Sequence, residues 1–207
     1  MLLGGVGSSA HALTCPRPGP PDVQVVDVSE PVAIDRSKGI AELTFLRRPG
    51  PGLHSNGLYT STLHAQLEVR FDIVSDGRMA CIAIDQLRAE TGWQGRTIHI
   101  ARDYPSGGCE ARAILDHERR HVNADERLLT QEFPALRNAV DRAARAATAG
   151  PIVASQIERT KRRLTDEINA EFRRAVENFN VRRNAVQATI DSPTEYERVR
   201  RMCPDGW

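Results

Sequence analysis

The feature that most constrains the fold is a change in residue pattern at Cys109, near the middle of this 207-residue chain. Before it, apolar and polar residues alternate without a fault in LHAQLEVRFDI, residues 63–73, which is the period of a strand with one buried face. After it, Gly and Pro become rare, and Ala, Leu, Arg and Glu recur at helical spacing. The pattern predicts a sheet followed by long helices.

The strands and their connections can be placed along the first half of the chain. The SDG sequence at residues 75–77 predicts a hairpin turn, and MACIAI at residues 79–84 predicts the partner strand. A shorter apolar run at residues 97–101 predicts another strand. We therefore expect a small antiparallel sheet.

Two long helices are expected in the second half. The first runs from about residue 109 to residue 149, bent at Pro134, and the second runs from about residue 152 to residue 190. The Gly-Pro pair at residues 150–151 separates them. The whole pattern predicts an α+β fold, in which the small antiparallel sheet packs on the first helix and a long helical hairpin follows.

The first 22 residues differ in character from the rest. AHA at residues 10–12 matches the small-x-small cleavage pattern of a secretory signal, and the proline-rich PRPGPPD at residues 16–22 predicts a linker. We interpret residues 1–22 as a residual signal-like segment and linker. Residues 23–207 then form a single domain, mainly strands over residues 23–106 and mainly helices over residues 107–207.

The four cysteines lie far apart and form no C-x-x-C pair, which favours two structural disulfides in an oxidising compartment. We predict a Cys81–Cys109 bridge and a Cys15–Cys203 bridge, in a secreted or periplasmic protein. Four reduced thiols in a cytosolic protein are the alternative. The formal net charge of +1 gives no reason to expect a nucleic-acid partner, and no apolar run approaches the length of about 20 residues that a membrane span needs.

The sequence HERRH at residues 117–121 is the candidate for chemistry. On a helix, His117 and His121 project from one face and can place two imidazole nitrogens on one tetrahedral ion. In this H-E-x-x-H arrangement, Glu118 is the general base that takes a proton from water. Ile114 and Leu128 continue the same stripe, so the histidines should face the domain. The alternative is a pair of core histidines with ordinary hydrogen bonds.

The HERRH motif, the preceding sheet and the long helical tail resemble the zincin metallopeptidases, and more narrowly a bacterial family of predicted secreted zinc-dependent proteases. DSPTEY at residues 191–196 resembles the D-x-x-T-x-H run near the end of that family, with Tyr196 in place of its histidine. The resemblance implies one zinc ion per chain, a zincin-like domain over residues 23–207, and hydrolysis of a peptide or protein substrate. It favours Asp191 as the third metal ligand.

The residues themselves leave the third ligand open. Asp125 lies about 12 Å along an unbroken helix from His117, which is too far for one ion, so we interpret Asp125 as a partner that orients His121. A simple hairpin folded at residues 150–151 makes Glu177 the nearest carboxylate on the second helix. A kink at Pro134 would bring in Asp191 instead, and we place Asp191 first with Glu177 as the alternative.

The function hypothesis is a zinc-dependent hydrolase, specifically a secreted or periplasmic metallopeptidase whose water is activated by Glu118. Tyr104 and Tyr196 are candidates to stabilise the transition state, although a tyrosine at a loop or helix end more often packs. The competing hypothesis is a non-enzymatic exported interaction protein, in which the helical hairpin binds a partner and the H-E-x-x-H pattern is fortuitous or degenerate.

Overall fold

The computed structural model describes residues 13–50 and 52–204. The signal-like pattern at residues 10–12 lies outside them. Residues 13–21 have no regular secondary structure. The elements that follow, in chain order, are β1 (Asp22–Asp27), β2 (Ala33–Asp35), α1 (Ile40–Arg47), β3 (Gly57–Ser75), β4 (Met79–Ile100), α2 (Cys109–Ala146), β5 (Ala149–Val153), α3 (Ile157–Ile190) and α4 (Pro193–Arg200).

The sheet is mixed, so the prediction of an antiparallel sheet is wrong. β4 is its central strand and pairs with β3 in antiparallel fashion along one edge. The other edge of β4 is shared by β5, which is antiparallel, and by β1 and β2, which are both parallel to β4. β1 and β2 are short and lie one after the other along the same edge of β4. The alternation of apolar and polar residues does not show whether a strand pairs in parallel or antiparallel fashion, so their parallel pairing was not predicted.

The long β3–β4 hairpin confirms the predicted strand over residues 63–73 and the turn at residues 75–77. The two strands predicted at residues 79–84 and 97–101 are instead parts of the single 22-residue strand β4. The residues between them stay in the sheet because both edges are paired, with β3 on one side and β1 and β2 on the other. No turn therefore interrupts β4.

The helices α2 and α3 pack against the sheet and against each other. Each fully buried Leu, Ile or Phe side chain of such a core stabilises the fold by about 1.5–3 kcal/mol. The buried residues that join the sheet to the second half of α2 and the first half of α3 are Val23, Ile82, Ile84, Leu87, Ala89, Leu136, Val140, Ala144, Leu164, Ile168 and Phe172.

The two helices are antiparallel, as a hairpin requires, but the connection between them is not a tight turn. α2 continues through Pro134 and ends at Ala146, and α3 begins at Ile157. The predicted helix ends at residues 149 and 152 are wrong because residues 149–153 form β5 on the edge of β4. The position of β5 determines which residues of α3 lie opposite the HERRH motif.

All four cysteines form disulfides, but the predicted pairing is wrong. The bridges are Cys15–Cys81 and Cys109–Cys203. Cys81 lies near the start of β4 and Cys109 lies beyond its end, and at about 3.3 Å per residue that strand separates them by roughly 60 Å. Two disulfides are typical of proteins from oxidising compartments, which is consistent with an extracellular or periplasmic location. Within the described residues, no helix combines the length and the apolar character needed to cross a membrane.

The two disulfides should differ in their effect on the end of the chain. They close loops of 66 and 94 residues, so removing either should lower the free energy of unfolding by a similar amount, about 2–4 kcal/mol. Of the two bridges, Cys109–Cys203 is the one that ties the segment after α4 to the start of α2, beside the contact of Val199 with Ala113. If the HERRH motif binds a metal ion, we expect Cys109→Ser/Cys203→Ser to weaken that binding as well, whereas Cys15→Ser/Cys81→Ser should lower stability alone. Thermal unfolding and zinc titration check this, and equal zinc affinities in the two variants would contradict it.

Candidate metal centre

His117 and His121 lie one turn apart on α2, and both side chains are buried. Asp191 follows the last residue of α3 directly and caps its C-terminal end. The Nε2 atoms of the two histidines are 3.3 Å apart, and Asp191 Oδ1 lies 3.2 Å from His121 Nε2 and 3.4 Å from His117 Nε2. Three potential ligand atoms from two helices therefore form a nearly equilateral triangle, and this group could hold a metal ion.

The size of this triangle fits a tetrahedral metal ion. Nitrogen and oxygen ligands lie about 2.0–2.1 Å from zinc, so two ligands of a tetrahedral site lie about 3.3–3.4 Å apart. The three observed separations, 3.2, 3.3 and 3.4 Å, match that spacing. An ion can thus reach all three atoms with little movement of the side chains.

The hydrogen bonds of Gln187 determine which nitrogen of His121 carries its proton. The side-chain nitrogen of Gln187 donates to His121 O at 3.2 Å and to Asp125 Oδ1 at 2.6 Å, which fixes the orientation of the amide. Its oxygen therefore faces His121 Nδ1 and accepts a hydrogen bond from the Nδ1–H group. The Nε2 atom of His121 is left with its lone pair towards the triangle.

Glu195, on α4, lies beside the Nδ1 atom of His117. Its Oε1 is 3.5 Å from His117 Nδ1, which is buried and makes no hydrogen bond within the described residues. Arg198 and Arg120 bind the Glu195 carboxylate, and the hydrogen bond from Arg198 is the largest of the effects that lower the pKa of Glu195 to about 2. An ionised carboxylate on this side favours a proton on Nδ1, so His117 Nε2 also points a lone pair at the triangle.

Lone pairs of the two buried histidines and of the partly exposed Asp191 therefore point at one place, an arrangement that attracts a positive charge. A proton is the simplest such charge. Burial alone would lower the pKa of His121, but its contacts with Asp191 and Gln187 outweigh burial and raise that pKa. Burial would likewise raise the pKa of Asp191, but hydrogen bonds with His117 and His121 hold it well below its usual range. A divalent metal ion would satisfy all three atoms together.

The carboxylate of Asp191 is fixed from its other side by two residues. Arg47, at the end of α1, contacts Asp191 Oδ2 at 2.9 Å and donates to the Tyr196 hydroxyl at 2.6 Å. The Tyr196 hydroxyl donates to Asp191 Oδ1 at 2.8 Å, and burial raises the pKa of Tyr196 to about 12. Tyr196 therefore stays a hydrogen-bond donor at neutral pH. These contacts keep Oδ1 directed at the two histidines.

Asp125 is fully buried and belongs to a network that joins α2, α3 and β3. Arg183 donates to both of its oxygens, at 2.8 and 2.9 Å, and Ser61 donates to Oδ2 at 3.1 Å. The Arg183 guanidinium also lies 4.6 Å from the centre of the Trp93 ring. We predicted that Asp125 would orient His121 directly, whereas Gln187 lies between them and transmits the constraint.

Glu118 lies next to the triangle, buried between α2 and the start of β3. A Cβ atom at Gly57 would come within 2.7 Å of Glu118 Oε1 and 2.4 Å of Ile114 Cγ2, so only glycine allows β3 this close to α2. Burial raises the pKa of Glu118, although the two histidines partly offset it. Glu118 lines two neighbouring cavities, of about 600 and 240 Å³, and Asp191 lines both as well. The smaller cavity also touches His121, and the larger one touches His117.

The other candidates from the sequence lie elsewhere. Glu177 is exposed on α3 and does not belong to the metal-capable group. Tyr104 packs on the apolar cluster around Ile98 and Ile114 and does not line either cavity next to Glu118. Tyr104 is therefore not brought to the site in this structure.

Three residues of the site were missed by the sequence reasoning. Gln187 precedes Asp191 by four residues on α3, so their shared helix face was a readable signal. Glu195 lies inside the DSPTEY run that had already been singled out. Arg47 is distant in sequence and carries no local pattern that would connect it with the HERRH motif.

Comparisons with known protein families, with curated proteins and with solved structures found no match to this chain. The case for a function therefore rests on the geometry of the site.

The role of Gln187 makes a prediction about metal binding. We expect Gln187→Ala to weaken zinc binding by about 10- to 100-fold, because His121 loses the acceptor that fixes its tautomer and ring orientation. Asn184→Ala is a matched control, since Asn184 is exposed one turn away on α3 and lines the same smaller cavity. Zinc titration with a competing chelator measures both. Wild-type affinity in Gln187→Ala would contradict this role.

Proposed function

We propose that this protein is a zinc metallopeptidase that acts in the periplasm or outside the cell. The observation that carries the proposal is the convergence of the His117, His121 and Asp191 ligand atoms beside the buried Glu118. Two imidazoles and one carboxylate are a frequent ligand set of catalytic zinc, which keeps its fourth position for water or substrate. The same set also binds Fe(II), but a general base next to the ligands favours hydrolysis.

The residues of the chain have distinct tasks in this mechanism. A zinc ion bound by the triad would polarise the scissile carbonyl and lower the pKa of water towards about 7. Glu118 takes a proton from the attacking water on a carboxylate oxygen and returns it to the nitrogen of the leaving amine. Its raised pKa suits both steps, because a group that accepts and then donates works best with a pKa near the working pH.

The surrounding residues keep this arrangement rigid. Gln187 accepts a hydrogen bond from His121 Nδ1, and Arg47 and Tyr196 hold the carboxylate of Asp191. The Glu195 carboxylate lies 3.5 Å from His117 Nδ1 and favours a proton there. Preorganised ligands of this kind need little rearrangement during the reaction. The larger cavity, of about 600 Å³, has the size of a typical ligand site and lies open next to Glu118.

The compartment is inferred from the disulfides and from the resemblance of the HERRH motif to secreted zincins. Both disulfides need an oxidising environment to form and persist. An extracellular or periplasmic peptidase of the zincin type accounts for the motif, the disulfides and the signal-like residues 10–12 together.

Cleavage of a peptide library by the purified protein tests the proposal. We expect cleavage to stop when 1,10-phenanthroline removes the metal, to continue with the non-chelating 1,7 isomer, and to return when one equivalent of zinc is added. A zinc-loaded protein that cleaves no peptide would reject the peptidase, and the helical-hairpin binding protein would then be the better hypothesis. Cleavage that persists without metal would also reject the zinc mechanism.

A further inference from the structure

β3 is an edge strand along its whole length. It spans Gly57–Ser75 and contains no proline, and within the described residues its backbone pairs with β4 alone. The outer side of β3 therefore presents a row of backbone N–H and C=O groups that no strand of the described chain occupies. Natural proteins usually shorten, interrupt or cover an edge of this kind, because it can accept a further strand.

The apolar side chains along this edge are incompletely buried. Leu67, Val69 and Phe71 pack on the core cluster between the sheet and the helices, but all three are only partly buried. Further along the strand, Ile73 and Val74 are 38% and 39% exposed. The hydrophobic layer is thus open at β3, and a strand added to this edge would cover more of it.

The opposite face of β3 carries two charges without partners. Glu68 and Arg70 are two residues apart, so both project from this face, and both are exposed. Within the described residues, neither side chain forms a hydrogen bond or an ion pair. Both charges are therefore available to a neighbouring strand.

The order of these charges is self-complementary in an antiparallel pair. When β3 pairs with β3 of a second copy around a two-fold axis at Val69, Glu68 of each copy lies opposite Arg70 of the other. The next register in either direction with the same faces places Glu68 opposite Glu68, or Arg70 opposite Arg70. Directly opposed like charges are destabilising, so the sequence of β3 favours the register centred on Val69.

We propose that two copies of this protein associate through the outer edges of their β3 strands. Residues 64–74 pair in antiparallel fashion and join the two sheets into one. Two Glu68–Arg70 ion pairs form on the polar face, and Leu67 of each copy lies opposite Phe71 of the other on the helix side. The same surface of each copy contributes to the interface, which is the usual arrangement of a two-fold dimer. This inference does not depend on the proposed peptidase.

Charge reversal tests the interface and its register. Sedimentation equilibrium of the wild type should show a monomer–dimer equilibrium. Glu68→Arg and Arg70→Glu each replace both ion pairs by like-charge contacts, so each should raise the dissociation constant by about tenfold or more. The double variant Glu68→Arg/Arg70→Glu restores both pairs with the charges exchanged, and its constant should return towards the wild-type value. Asp116→Arg is the control, because it reverses an exposed carboxylate on α2, and it should dimerise like the wild type.

A mixture of the two single variants gives the sharpest result. Each pairs poorly with itself, but one copy of each places opposite charges at both contacts, so the mixture should form a heterodimer. Circular dichroism of each variant before mixing checks that its fold is intact. A wild type that stays monomeric at its highest soluble concentration would overturn the proposal and leave the edge to another chain. Single variants that dimerise as well as the wild type, or a mixture and a double variant that both stay monomeric, would overturn it too.

Discussion

Glu118→Gln should reduce peptide hydrolysis by about 100- to 10,000-fold, the range typical of general acid–base catalysis. The amide has nearly the same shape as the carboxyl group, so it fits the space between α2 and Gly57. It cannot accept a proton from water at neutral pH. Glu118 contributes no atom to the metal-capable group, so the zinc content of Glu118→Gln should remain close to that of the wild type.

The control for this prediction is Asp116→Asn on the same helix. Asp116 is exposed and its nearest ion pair, with Arg119, is 3.8 Å long, so the variant removes a neighbouring carboxylate without touching the site. Rates on a peptide substrate and zinc content are measured in the same samples. If Glu118→Gln cleaves as fast as the wild type with its zinc retained, Glu118 is not the general base.

The parts of the structure that depend on local sequence were predictable. Strict alternation over residues 63–73 predicted β3, and the spacing of His117 and His121 predicted that their side chains would share one buried face. These properties are set by the periods of strand and helix, which can be read along a few residues.

The parts that depend on pairing between distant segments were not predictable in the same way. A simple hairpin at residues 150–151 places Glu177 near the histidines, but β5 pairs with β4 before α3 begins, and Gln187 then lies opposite His121. The disulfide pairing failed for a related reason, since it depends on the unbroken length of β4. In both cases the outcome depends on pairing between segments that are distant in sequence, which the local residue pattern does not show.

Removal of any one of the three candidate ligands should have the second large effect. Each of the variants His117→Ala, His121→Ala and Asp191→Ala removes one of the three ligand atoms. Loss of a residue that only orients a ligand typically lowers metal affinity about 10- to 100-fold, and we expect zinc affinity to fall by more than that here. Glu177→Ala is the matched control for Asp191→Ala. It removes an exposed carboxylate from the same region of the chain, so it should leave zinc affinity unchanged.

The most direct test of the proposed zinc site is the metal content of the purified protein and of these four variants, determined by elemental analysis. We expect about one zinc ion per chain in the wild type and in Glu177→Ala, and little or none in His117→Ala, His121→Ala and Asp191→Ala after mild chelation. Zinc content that is unchanged when His117 and His121 are replaced, or iron in place of zinc in the wild type, would contradict it.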